Sequence, residues 1–145
     1  MFRSILVAVD PSPTRHSAVR TAGEMARLTG AEVHVVHIAV TAIAWDTAVR
    51  VEEEPEAREI LEEALAALRE AGVKADGELM HAATEQVPGA IAQAARQYRA
   101  DLLVLGPHHR GTLAAFFNPR VSDAVAHASR VAVLFAPEAL ETNEG

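Results

Sequence analysis

Short apolar runs alternate along this chain with longer stretches in which apolar residues recur at helical spacing. Ser4 to Asp10 (SILVAVD) is continuous and apolar and ends in an acid, the pattern of a strand buried on both faces. Pro11 and Pro13 break it, and Ser12 or Thr14 offers a cap for the helix that follows. There Ala18, Ala22, Met25 and Ala26 share one face, and Gly30 closes the segment. Glu32 to Val40 is a second strand, rich in β-branched residues. Thr41 to Glu54 reads as irregular and holds Trp45. A second helix is predicted from about Pro55 to Ala71, with Leu61, Leu65 and Leu68 inward and Gly72 as its stop. Val73 to His81 is more polar and interrupted by Gly77, which places it at a sheet edge. A third helix opens at Thr84 or Gln86 with Pro88 in its first turn, and turns Ile91, Ala94, Ala95 and Tyr98 inward. Asp101 to Gly106 is a central strand, about Asn118 to Ser129 a fourth helix, and Val131 to Phe135 the last strand.

Strand and helix alternate throughout, which predicts an α/β fold: one doubly wound parallel sheet of five strands with four helices on its two faces. In such a sheet ligands bind beyond the carboxyl ends of the strands at the switch point. Asp10, Ile38 and Gly106 end strands and so rim that crevice. Residues 1–136 form one domain, and 137–145 are an acidic tail.

Composition narrows the classes. Half of the 145 residues are hydrophobic but only 4% are aromatic, so the core is built from Ala, Val, Leu and Ile. A formal net charge of -7 argues against a nucleic-acid partner. With no cysteine, disulfides and thiolate metal sites are excluded. The amino-terminal residues lack the regions of a signal peptide, and no apolar run reaches the ~20 residues that span a bilayer. The expectation is a cytoplasmic protein with no membrane partner.

Four segments then point to a family. VAVDPS (Val7–Ser12), VVHI (Val35–Ile38), ADLLVLG (Ala100–Gly106) and VSDAVAHASRVAVLF (Val121–Phe135) resemble the universal stress protein family, in its order and spacing over almost the whole chain. The resemblance implies an adenine-nucleotide alpha-hydrolase-like sheet of order 3-2-1-4-5, a role in the stress response, and a homodimer through the last strand, here Val131–Phe135. It also implies a motif, G-x2-G-x9-G-[S/T], through which many members bind ATP. Laid on this chain, Gly106 takes the first glycine, His109 stands at the second, Pro119 at the third and Arg120 at the hydroxyl position. Val121 and Ser122 match the Val-Ser that follows, Asp10 the acid that contacts the nucleotide, and Ile38 an apolar position that touches the base.

The replacements have physical consequences. Glycine admits positive φ and lets backbone N–H groups approach phosphate oxygens. His109 puts a side chain in that space, Pro119 removes an N–H, and Arg120 substitutes a long cation for a small hydroxyl. The chain therefore resembles the branch with a degenerate motif, which does not bind ATP. No cofactor is expected. The alternative is a sensor that holds another nucleotide or a phosphorylated small anion, gripped by His109 and Arg120.

Simpler readings stand beside these. Gly106-x4-Gly111-Thr112 lacks the lysine of a P-loop, because Leu113 follows. His108 and His109 suit a solvated loop as well as an anion site, and a metal would need further converging ligands. His34 and His37 fall on opposite sides of their strand and cannot share a site, and His37 matches a structural family histidine. Asp10 is either a helix cap that holds Ser12 or a ligand contact. Asn118-Pro119 is also a good helix start. Both sides of Val131–Phe135 are apolar, which suits pairing with a second copy, limited by Pro137. No nucleophile–base pair, paired carboxylates or metal cluster falls at one strand end, so no enzymatic activity is expected.

Overall fold

A computed structural model describes residues 2–44, 47–50, 53–106 and 131–137 of the chain. Strand β1 (Ser4–Val9) is the centre of the sheet, with all six residues buried. It pairs in parallel with β2 (Glu32–Ala44) on one side and with β5 (Leu102–Leu105) on the other. Outside these lie β4 (Ala75–Ala83), parallel to β2, and β6 (Ala132–Phe135), parallel to β5. Counted in chain order, the five parallel strands run 3-2-1-4-5, as the family resemblance implies.

Helices α1 (Arg15–Thr29) and α2 (Glu54–Glu70) cover one face. The inward side of α1 is Ala18, Val19, Ala22 and Ala26; that of α2 is Ala57, Leu61, Ala64, Leu65 and Leu68. They pack on Ile5, Val7, Val33, Val35, Leu102 and Val104. Helix α3 (Val87–Gln97), entered through a single 3-10 turn at Thr84–Gln86, covers the other face. Its Val87, Ile91, Ala94 and Ala95 meet Leu6, Val36, Ile38, Val40, Leu103 and Leu105. Alternation of side chains along each strand sends odd and even positions to the two layers.

The helix ends follow their sequence signals with one exception. Gly30 (φ 77°) returns its N–H to the Ala26 carbonyl, and Gly72 (φ 82°) turns the chain so that Val73 N–H reaches Leu68. Helix α3 ends without a glycine: Arg99 takes the left-handed position at φ 53°. In the same turn, Ala100 N–H bonds to the Ala95 carbonyl.

Two expectations are corrected. Thr41 to Glu54 is not all irregular: β2 runs on to Ala44 and a further strand, β3 (Thr47–Arg50), pairs antiparallel with it, Thr41 opposite Arg50 and Ala44 opposite Thr47. The edge strand begins later than Val73, because Val73 is buried in the α2 turn, and it extends to Ala83, because the longer β2 supplies Thr41 as a partner. Three α-helices are seen among the described residues. The fourth, at 118–129, lies outside them, as does Trp45.

Candidate functional site

The switch point lies between β1 and β5, where the connections from the two central strands leave in opposite directions. The chain leaves β1 at Asp10 and turns into α1 through Pro11–Thr14. One carboxylate oxygen of Asp10 accepts the Ser12 N–H at 2.9 Å and the Ser12 hydroxyl at 2.7 Å. The hydroxyl oxygens of Ser12 and Thr14 are 2.6 Å apart. Since the Ser12 proton is committed to the carboxylate, the Thr14 hydroxyl is the donor in that contact. A polar arc therefore runs from Thr14 through Ser12 to Asp10. Its Thr14 end meets Gly106: a Cβ on that residue would stand 3.3 Å from the Thr14 hydroxyl oxygen.

Arg15 supports the arc from below. Its Nη1 donates to the carbonyls of Pro11 (2.8 Å) and Ser12 (3.1 Å), and its Nη2 lies 3.5 Å from Glu63 on α2. His37 fixes the end of β1 from the side: fully buried, it donates from Nδ1 to the Val9 carbonyl at 3.0 Å. That is a structural role, and His34, as expected, points to the opposite face. Ile38, expected to end its strand, does not: β2 runs on to Ala44, and Ile38 is 2% exposed and packed in the α3-side core.

The position of β3 shapes the crevice as well. Thr41 pairs with Ala83 of β4 and also with Arg50 of β3, so these two strands flank β2 on opposite sides. Thus β3 lies on the β1 side, beyond the last β1 pairing, Val9 with His37. It forms a wall past the carboxyl end of β1.

Chemically, the arc accepts and does not donate. The Ser12 N–H, the Ser12 hydroxyl and the Thr14 hydroxyl spend their hydrogens within it, and Asp10 brings negative charge. Such a surface suits hydroxyl groups of a ligand and repels phosphate oxygens.

Of the residues singled out in the sequence, Asp10 and Gly106 come together through Ser12 and Thr14. His109, Arg120, Val121 and Ser122 lie outside the described residues, with His108, Asn118 and Pro119. Thr14 occupies the cap position of α1 but makes no side-chain cap, because its hydroxyl serves the arc. The roles of Thr14 and Arg15 were not evident in the sequence. Asp-x-Ser is a local turn signal, whereas the Arg15 contacts depend on the turn's final shape.

A second polar cluster stands at the opposite, amino end of the sheet. His34, mostly buried, lies 2.5 Å from Asp76 and 3.3 Å from Glu32, and its ring stacks on Tyr98 with centroids 4.4 Å apart. The Tyr98 hydroxyl donates to Glu78 at 3.0 Å. Burial, reinforced by the bond to Glu78 and the charges of Glu78 and Asp76, pushes the Tyr98 pKa up to about 12. Among the described residues no group of three or more His, Asp or Glu side chains is placed to hold a metal ion.

The Universal stress protein family matches residues 1–137. The chain belongs to that family. Among solved structures it is similar to a universal stress protein from Burkholderia pseudomallei, at 27% identity over 92% of this chain and 95% of that one, with a TM-score of 0.68. A universal stress protein from Archaeoglobus fulgidus is 27% identical over 94% and 95%, with a TM-score of 0.67. One from the same organism in complex with dAMP is 26% identical over 93% and 98%, with a TM-score of 0.66. A search of the curated proteins finds no match. Like its structural relatives, this universal stress protein keeps the five-stranded parallel frame. No helix among the described residues is long and apolar enough to cross a membrane.

Proposed function

We propose that this universal stress protein acts in the stress response as a homodimer, by interaction or signalling and not by catalysis, and that it does not bind ATP through the family motif. The observation that carries this reading is the replacement of three of the four motif positions, by His109, Pro119 and Arg120. The arc offers no compensation, because its hydroxyl and N–H donors already serve Asp10 and Ser12. Support for the dimer comes from β6. Among the described residues it pairs only with β5, and its Val133, Leu134 and Phe135 are half-buried. An apolar edge of this kind is satisfied by the same strand of a second copy. We place the protein in the cytoplasm.

Isothermal titration of the purified protein with ATP tests the first part: micromolar binding overturns it. Sedimentation tests the second. The protein is expected to sediment as a dimer and Val133→Lys as a monomer; a monomeric parent rejects the interface.

A second reading is favoured by the dAMP-bound relative and by the acceptor character of the arc. In it the crevice at Asp10, Ile38, Gly106, His109, Arg120, Val121 and Ser122 senses a nucleotide or phosphorylated small ligand, with Asp10 on ligand hydroxyls and Arg120 on phosphate. A thermal-shift screen of AMP, dAMP and sugar phosphates decides it. Stabilisation that vanishes in Arg120→Ala supports the reading, and no stabilisation by any of them removes it.

A further inference from the structure

A cavity of about 390 Å3 opens between α1 and α2. That is within the usual size of small-ligand sites, about 300–1,000 Å3. Its floor is apolar, made of Val19, Gly23, Ile60, Ala64 and Leu68. Gly23 is buried in mid-helix, and a Cβ there would come 3.3 Å from Leu68, so its absence lets the helices approach while neighbouring alanines leave the space beside them unfilled.

The rim is basic although the protein carries a net charge of -7. Arg15, Arg20 and Arg27 stand along it, against Glu24 and Glu63. Arg20 and Arg27 are exposed and make no ion pair among the described residues. Among the described residues, the buried Nε of Arg15 has no hydrogen-bond partner. Its one ion pair, with Glu63, is loose at 3.5 Å. A buried donor without an acceptor is rare in folded proteins.

We infer that this groove is a second binding site, for an amphipathic carboxylate with one anionic head on a linear apolar chain. The chain lies along the floor and the head takes the arginine rim, displacing Glu63 from Arg15 when bound at that end. A neutral apolar ligand would leave the arginines unused, and a cationic one would be repelled by them.

The test is a titration of the full chain with dodecanoate below its micelle concentration, followed by amide NMR. Chemical-shift changes are expected at Val19, Gly23, Ala64 and Leu68, with saturation. Decanoate, two methylenes shorter, is expected to bind about fifteenfold more weakly, since each buried methylene contributes roughly fourfold. Ala67→Phe, which plugs the groove from an exposed lining position, and the double variant Arg20→Glu/Arg27→Glu should each lose binding at least tenfold while the rest of the spectrum is unchanged. Equal affinity for dodecyltrimethylammonium, shifts scattered over the surface, or undiminished binding in Ala67→Phe overturns the site. A groove that responds to an acidic peptide and not to dodecanoate overturns the ligand assignment.

Discussion

Ser12 donates both its backbone N–H and its hydroxyl to a single carboxylate oxygen of Asp10. The strand-to-helix turn is thus tied to the end of β1 by one acid. Asp10→Ala removes the acceptor and leaves two donors to find water. A stability loss of about 1–3 kcal/mol is expected, as for hydrogen bonds to charged groups. Urea unfolding measures it, and Asp10→Asn should recover part of the loss.

Gly77 sits in β4 opposite Val35, and a Cβ there would lie 2.3 Å from the Val35 carbonyl oxygen and 3.1 Å from Leu61. Neither backbone can withdraw without breaking the ladder. Gly77→Ala should destabilise by about 1–3 kcal/mol, the range of overpacking, seen as a lower urea midpoint. Its φ is not in the left-handed region, so the cost comes from contact and not from conformation.

Arg99 makes the opposite case. At φ 53° it pays for a side chain in a left-handed position that closes α3. Arg99→Gly relieves that strain but adds freedom to the unfolded chain. The net expectation is a gain of about 0.5–1 kcal/mol, measurable as a higher melting temperature.

Tyr98 is the only tyrosine, so absorbance at alkaline pH reads it alone. Its midpoint should lie near 12 in the folded protein and near the ordinary value of about 10 in urea. The folded state then holds the proton more tightly. Stability from this group is complete below pH 10 and is lost as pH rises towards 12. Tyr98→Phe should flatten that slope; an unchanged slope would show that other groups cause it.

Much of the frame was legible because its signals are local. SILVAV reads as a strand buried on both faces, and Leu61, Leu65 and Leu68 as a helix stripe, and both are seen. The β2–β3 hairpin was not legible, since no Asn-Gly or glycine-bearing turn marks it and its register depends on β2 outrunning β1. Asp101 reads as the first residue of a strand, yet its carboxylate accepts the N–H groups of Arg3 (2.9 Å) and Ser4 (3.1 Å). That role depends on residues 98 and 97 positions away. At the site, Asp10 and Gly106 were found from strand ends, whereas the order Thr14 to Ser12 to Asp10 emerges only once the turn is folded. The expected contributions of His109 and Arg120 lie outside the described residues.

The placement of β3 past the end of β1 walls the crevice on the β2 side with a backbone ladder. A ladder of this kind is a rigid boundary, so it limits the width of any group that reaches Asp10 from that side. Substitutions in the hairpin should therefore alter which ligands fit.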